Sequence, residues 1–203
     1  MKKLTGILAA VLITLTAAAG KEVSKKHFDV DTKNSKVYWT GKKVTGEHSG
    51  YLTVGNGTVM VENNKVKSAD LNLDLTSIEC TDLSGEWKDK LVGHLKSDDF
   101  FSVDKHPNAT FKIKSIDGTG SNKTVVGDLT IKGITNEISF PAEVTVDGNK
   151  VTATGNATID RTKWNMKFRS GKFFDSLGDK MIHDEFDIKF ELIAVAGDKL
   201  TMN

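Results

Sequence analysis

The feature that most constrains this chain is a two-residue alternation of apolar and polar side chains between Phe28 and Val195. Successive side chains of a β-strand point to opposite faces, so the alternation predicts strands with one buried and one solvent-facing side. One-sided burial favours antiparallel pairing. The clearest alternating runs are residues 69–76, 111–114, 128–132, 151–159 and 186–192.

Turn-forming residues separate these runs. Asn63-Asn64, Asp117-Gly118 and Asp147-Gly148-Asn149 tolerate the positive φ angles that tight hairpins require. The short spacing between them is typical of a series of hairpins. About eight strands are therefore predicted, near residues 28–44, 49–60, 65–78, 109–117, 123–133, 136–147, 150–160 and 184–195.

Two segments break the strand pattern. Trp87, Leu91 and Leu95 recur every four residues, which predicts a short helical insert near residues 84–96 with these side chains on one face. The segment 164–178 mixes phenylalanines, glycines and charges, and is expected to be a long loop or flap before the last strand.

Eight antiparallel strands would leave two exposed sheet edges, and closure into a barrel removes both. A barrel of this size is either filled by side chains or holds one small ligand. Small inward residues, such as Ala69, Ala153 and Ala157, leave volume unfilled and favour an elongated apolar guest. Periodicity alone is equally consistent with a solid-core barrel or a two-sheet sandwich.

The inward-facing series supplies the candidate ligand-binding residues, although each taken singly is more typical of ordinary core than of a ligand contact. Trp87, Leu91, Phe100 and Phe101 would either close one mouth of the barrel or pack against its wall. The candidate ligand-binding residues are Leu71, Leu73, Leu75, Phe111, Ile113, Leu129, Ile131, Phe140, Phe186, Ile188 and Phe190.

Composition narrows the class of partner. The chain carries 28 basic and 27 acidic residues among 203, a net charge of +1, so it has no bulk charge to attract nucleic acid. Its single cysteine, Cys80, rules out an internal disulfide and a cysteine-cluster metal site. We expect Cys80 to be buried and unreactive.

Signatures of catalysis are few. The sequence has no G-x-S-x-G elbow, P-loop or dinucleotide fingerprint, and its five histidines include no H-x-x-x-H pair. The run His183-Asp184-Glu185 is expected to be a solvated strand opening rather than a metal site. His94 and His106 are expected to have structural roles. We therefore predict no catalytic residues, no metal and no required cofactor.

The N-terminus has the composition of a secretory signal peptide. Lys2 and Lys3 precede an apolar run at residues 4–16, and Ala17-Ala18-Ala19 offers a small-residue cleavage site. An uncleaved anchor is the alternative interpretation. The predicted organisation is a signal peptide at 1–19, a leader at 20–27, one domain at 28–195 and a tail at 196–203, with a periplasmic or secreted location.

Several motifs resemble those of one known family. Residues 94–101, HLKSDDFF, are followed by His106-Pro107 and Thr110-Phe111, and residues 126–135 read VGDLTIKGIT. With Phe28-Asp29-Val30-Asp31 and Ile159-Asp160-Arg161, these resemble in order and spacing the YceI-like family of polyisoprenoid-binding proteins.

The resemblance implies an all-β fold, an eight-stranded antiparallel lipocalin-like barrel with a long apolar tunnel. It also implies an exported binding protein that sequesters or transports a polyisoprenoid, of quinone or prenyl phosphate type, without performing chemistry. Peripheral membrane contact and a dimer are consistent with that role. The alternatives are a barrel enzyme that isomerises or cyclises an apolar substrate, and a structural domain without a ligand.

Overall fold

The structure of the protein is a computed structural model that describes residues 24–197. The predicted signal peptide, half of the predicted leader and most of the predicted tail lie outside the described residues. No helix within residues 24–197 has both the length and the apolar composition needed to cross a bilayer.

The described residues form one antiparallel sheet that closes on itself, together with a single α-helix. From β2 onward each strand pairs with its neighbours in the chain, and β9 returns to pair with both β1 and β2. The elements are β1 Lys25–Val30, β2 Lys36–Lys43, β3 Gly46–Glu62, β4 Lys65–Cys80, α1 Gly85–Lys96, β5 Asn108–Asp117, β6 Asn122–Ile131, β7 Ile134–Asp147, β8 Lys150–Asp160 and β9 Ile182–Ala196.

The predicted eight-stranded barrel is confirmed, with its first strand interrupted. β1 and β2 both pair with β3 on one side and β9 on the other, so they fill one position in the barrel. A turn at Asp31 separates them, where the carboxylate accepts hydrogen bonds from the backbone of Lys33 at 3.1 Å and Asn34 at 3.2 Å. The alternation changes phase at this break, since Phe28 and Val30 are buried at even positions whereas Val37 and Trp39 are buried at odd ones.

The Ser35 side chain replaces backbone hydrogen bonds of the sheet at the interruption between β1 and β2. Its side chain is fully buried, and Oγ donates to Ile193 O at 3.2 Å and accepts from Ile193 N at 3.0 Å. The Ser35 hydroxyl thus supplies the acceptor for Ile193 N, and it shares Ile193 O with the backbone N–H of Asp31, which donates at 2.8 Å.

The barrel has two unlike ends. The hairpin turns after β3, β5 and β7 gather at one end, called here the hairpin end. Helix α1 and the connection between β8 and β9, residues 161–181, lie at the other, called the mouth end. We name residues 161–181 the mouth loop. It contains two short 3-10 turns, Arg161–Trp164 and Gly178–Lys180.

Helix α1 packs against the wall at the mouth end through a narrower face than the sequence indicated. Leu91, Val92 and Leu95 contact a buried cluster that includes Trp39 and Ile78. Trp87 is 72% exposed, so the expectation that it shares this face is wrong. Four-residue steps advance about 40° beyond each full turn, which rotates Trp87 about 90° from the centre of the buried stripe.

Candidate functional site

The barrel interior contains a cavity of about 230 Å³. It is lined from the mouth end, at Ile182, to the hairpin end, at Ala194. These two residues of β9 are separated by about 40 Å of strand at 3.3 Å per residue. With the usual barrel tilt, the cavity follows roughly 30 Å of the barrel axis. Its shape is therefore that of an elongated tunnel.

Every residue that the sequence nominated as a ligand contact lies on the cavity wall. Contact with a ligand itself stays a prediction. By strand, these wall residues are Leu71, Leu73 and Leu75 on β4, Phe111 and Ile113 on β5, Leu129 and Ile131 on β6, Phe140 on β7, and Phe186, Ile188 and Phe190 on β9.

Several inward side chains remain only partly buried. Leu71, Leu73, Ile113, Phe140 and Ile188 line the cavity, yet each retains accessible surface because the space in front of it is unfilled. In a close-packed core such side chains would be covered by neighbouring residues. The interior is therefore partly vacant, which contradicts the solid-core alternative.

Three aromatic rings lie close together along the tunnel wall. The centroid of Phe140 lies 5.5 Å from that of Phe111 and 5.4 Å from that of Phe190. Glycines make room for two of these rings. A β-carbon at Gly127 would lie 2.5 Å from Cζ of Phe111, and the same relationship links Gly155 to Phe190. The glycines thus let the rings lie close to the wall instead of filling the lumen.

Charged and titratable side chains on the wall are confined to the mouth end. Among the described lining residues they are Lys42, Arg161, His183 and Glu185. Lys42 is ion-paired with Asp187, with Nζ and Oδ2 2.8 Å apart. Hydrogen bonding and attraction from that carboxylate raise the pKa of Lys42. A guest that entered here would pass a polar rim before reaching an apolar tube.

Arg161 is a buried clamp that joins the mouth loop to β9. Its guanidinium donates to the backbone oxygens of Met166 at 2.6 Å, Ile182 at 3.0 Å and His183 at 3.0 Å. Burial lowers its pKa, while the charge of Asp184, whose Oδ1 is 3.7 Å from Nη2, acts in the opposite direction. Because these carbonyls occupy its donors, we assign Arg161 a structural role.

An aromatic cluster joins α1 to the mouth loop. The His94 ring packs edge-on against Phe100 at 4.9 Å and Phe168 at 4.7 Å, and its Nε2 lies 2.9 Å from Asp99 Oδ2. Phe100 also lines the cavity, as do Leu95 and Phe101. The helix and loop together therefore form a partial cover over the mouth, held by the structural contacts expected of His94.

The sequence nominations omitted part of the wall. Val37, Trp39 and Leu52 line the cavity from β2 and β3, and the same alternation rule applied to those strands would have found them. No local sequence pattern predicts the hydrogen bonds of Arg161, because their acceptors are backbone oxygens up to 22 residues away. Lys163 and Lys167, which are exposed basic residues of the mouth loop, do not line the cavity.

The single cysteine of the chain is buried and already engaged. Cys80 is 2% exposed, and its thiol donates to Asp82 Oδ1 at 3.2 Å. Burial raises the pKa of this thiol, and the hydrogen bond to Asp82 raises it further.

Over residues 24–197, no group of three His, Cys, Asp or Glu side chains is placed to hold a metal ion.

Comparison with known proteins places the barrel among solved relatives. The crystal structure of BcnA from Burkholderia cenocepacia superposes with a TM-score of 0.64 at 27% identity, covering 82% of this chain and 99% of that one. A polyisoprenoid-binding domain from Saccharophagus degradans, implicated in plant cell wall breakdown, gives a TM-score of 0.60 at 15% identity, covering 84% and 98%. The second likeness is one of fold alone.

A sequence relative supports the same grouping. The UPF0312 protein of Staphylococcus aureus strain USA300 is 42% identical over 110 residues, which are 50% of this chain and 58% of that protein. The chain thus spans a little over half the length of this curated relative. The YceI-like domain model matches residues 28–194, nearly all of the barrel. The protein described here belongs to the YceI-like family.

Proposed function

We propose that this protein is an exported carrier that binds one long apolar lipid, of polyisoprenoid type, in the barrel tunnel. The observation that carries the proposal is the partly vacant tunnel, whose wall is apolar except at the mouth. A polyisoprenoid-binding domain among its structural neighbours supports the choice of lipid class. Export is supported by the signal-like sequence of residues 1–19.

The energetics favour a long chain over a compact metabolite. Each methylene group moved from water to an apolar site contributes about 0.8 kcal/mol, so ten contribute about 8 kcal/mol before costs. Ordering a flexible chain offsets part of this gain. Because micromolar affinity corresponds to about 8 kcal/mol net, the guest must bury more than about ten methylene groups to reach it. The polar rim at Lys42, His183 and Glu185 offers hydrogen-bonding groups to a polar head at the mouth.

The enzyme alternative has less support. A catalytic barrel needs an acid or base that faces the reacting atoms inside the cavity. The titratable wall residues within the described chain lie at the mouth, and Arg161 is held by three carbonyl oxygens. We therefore propose binding without chemistry.

The direct test is native mass spectrometry of protein purified from its own host, followed by extraction and identification of the lipid. The expected result is one bound apolar lipid per chain. Protein from which that lipid has been extracted should then bind added prenyl quinone or prenyl phosphate. Absence of lipid from the purified protein, together with no binding of either ligand, would rule out the carrier.

A pair of substitutions tests the wall itself. Leu73→Glu places a carboxylate inside the tunnel and should abolish lipid retention, because burying a charge beside hydrocarbon is costly. Thr110→Glu adds the same charge on the exposed face of the adjacent strand and should leave retention unchanged. Unchanged lipid content in a folded Leu73→Glu protein would contradict the assignment of the inward face.

A further inference from the structure

Two phenylalanines of the mouth loop project into solvent. Phe173 is 48% exposed and Phe174 is 49% exposed, whereas Phe168 of the same loop packs against both His94 and Phe100. Large apolar side chains that remain exposed next to each other are uncommon on a protein surface and indicate an interaction site.

The loop backbone holds this pair in place. The N–H groups of Phe173 and Phe174 donate to the carbonyl oxygen of Ser170 at 3.1 and 3.0 Å, and Ser170 is fully buried. The loop is also joined to β9, where Ile182 N donates to Arg169 O at 3.0 Å. The two rings are therefore presented on a fixed turn.

Positive charge predominates in the loop that carries the exposed rings. The mouth loop contains six basic and two acidic residues, although the chain as a whole has a net charge of only +1. Arg161 and Lys172 are paired with Asp184, but the other basic residues are solvent-exposed. Lys167 Nζ lies 4.7 Å from the centre of the Phe173 ring. The exposed basic residues of the loop are Lys163, Lys167, Arg169 and Lys180.

The rings belong to a larger rim around the tunnel opening. Val44, in the β2–β3 turn, is 49% exposed, and its backbone N–H donates to Met181 O at 3.3 Å. Ile134, 37% exposed at the start of β7, lies near the loop because Asn136 Nδ2 donates to Lys163 O at 3.1 Å. The docking rim is defined here as Val44, Ile134, Phe173, Phe174 and the exposed basic residues of the mouth loop.

We propose that the docking rim binds the surface of an anionic lipid bilayer and so places the mouth of the tunnel against the membrane. Exposed aromatic side chains beside lysine and arginine are the combination that inserts at the lipid headgroup boundary while attracting anionic lipids. The proposal rests on the proposed lipid cargo, because docking would bring the opening to the cargo's source.

A second copy of the chain fits this rim less well. Two aromatic side chains that are each half exposed offer roughly 200 Å², far below the roughly 800 Å² per partner typical of a stable interface. A symmetric dimer through this rim would also bring like charges together. An anionic bilayer instead complements the exposed Lys167 and Lys180.

The test is sedimentation of full-length mature protein with phosphatidylcholine vesicles and with vesicles of equimolar phosphatidylcholine and phosphatidylglycerol. Wild-type protein should bind the anionic vesicles and lose binding at high salt. The double variant Phe173→Ser/Phe174→Ser should bind roughly tenfold more weakly or worse, as should Lys167→Glu/Lys180→Glu. The matched control is Val195→Ser, since Val195 is 44% exposed at the hairpin end.

Circular dichroism and thermal unfolding confirm that each variant is folded before its binding is interpreted. The membrane-docking proposal is overturned if wild-type protein binds neutral and anionic vesicles equally. It is also overturned if Phe173→Ser/Phe174→Ser binds anionic vesicles as well as wild type does. If wild-type protein does not bind vesicles but forms a dimer, and Phe173→Ser/Phe174→Ser is monomeric, the rim binds a second copy of the chain and the membrane proposal is overturned. Absence of lipid cargo from protein that still binds anionic vesicles through the rim overturns the carrier function instead.

Discussion

Phe190 on β9 lies against Gly155, the residue directly opposite it on β8. A β-carbon at position 155 would be 2.6 Å from Cζ of Phe190 and 2.7 Å from the backbone oxygen of Pro141. The ring therefore occupies the volume that a side chain at position 155 would need. This arrangement keeps a large aromatic residue on the wall and leaves the centre of the tunnel open.

Replacing this glycine should narrow the tunnel. Gly155→Ala should push Phe190 into the lumen and destabilise the fold by about 1–3 kcal/mol, the usual cost of overpacking. Urea unfolding measures the stability and native mass spectrometry the lipid content, and both should fall. Gly93→Ala is the control, because nothing lies within 4 Å of a β-carbon at that position of α1. If Gly155→Ala is as stable as wild type and retains as much lipid, the packing of Phe190 against Gly155 described here is wrong.

Substitution of Arg161 should destabilise the mouth loop. Arg161→Met leaves the carbonyls of Met166, Ile182 and His183 without their donor and Asp184 without its nearby cation. We expect a loss of about 3 kcal/mol in the free energy of unfolding, with faster proteolysis of the loop. Arg161→Lys should be destabilised as well, because lysine keeps the positive charge but lacks the planar guanidinium that reaches three acceptors.

The exposed Lys163, in the same 3-10 turn, provides the comparison for Arg161. Lys163→Met removes a positive charge of the same loop without removing those three hydrogen bonds, and should change stability by less than about 0.5 kcal/mol. Equal effects of the two substitutions would show that loss of charge, and not loss of the carbonyl contacts, destabilises the loop.

Asp82 should make stability fall at acidic pH. Burial disfavours its ionised form, but hydrogen bonds from Ser49 N, His48 and the Cys80 thiol outweigh burial and lower its pKa to about 2. Because the folded pKa lies below the unfolded value of 3.8, the stabilisation is present above pH 3.8 and is lost as pH falls toward 2. Solvent exposure limits it to about 1 kcal/mol.

The measurement is the free energy of unfolding of wild type and Asp82→Asn across this pH range. Wild type should be the more stable at neutral pH, and the difference should shrink as the pH falls from about 4 to about 2. A difference that is the same at all pH values would mean that ionisation of Asp82 contributes nothing to stability.

Cys80 should resist thiol reagents while the protein is folded. Its side chain is 2% exposed and its pKa is raised, so both access and thiolate formation are disfavoured. A chromogenic disulfide reagent at pH 8 should label it slowly in buffer and quickly in denaturing urea. Rapid labelling of folded protein would show that the cluster of Trp39, Ile78 and Cys80 opens on that time scale.

The strand pattern and the wall of the tunnel were predictable from sequence because both depend on a local rule. Alternating residues point to opposite faces, so Leu71, Leu73 and Leu75 share a face wherever the strand is placed. Turn residues such as Asp147-Gly148 fixed the hairpins for the same local reason. The helix was predictable in extent, but Trp87 shows that spacing alone did not define its buried face.

Tertiary structure decided what no local pattern contains. Whether the interior is vacant depends on how far opposite walls stand apart and on whether rings such as Phe140 and Phe190 lie against the wall or fill the lumen. The clamp at Arg161 and the exposure of Phe173 likewise depend on partners distant in sequence. Residue type and order therefore determined which side chains face inward, whereas closure of the barrel determined how much space they leave.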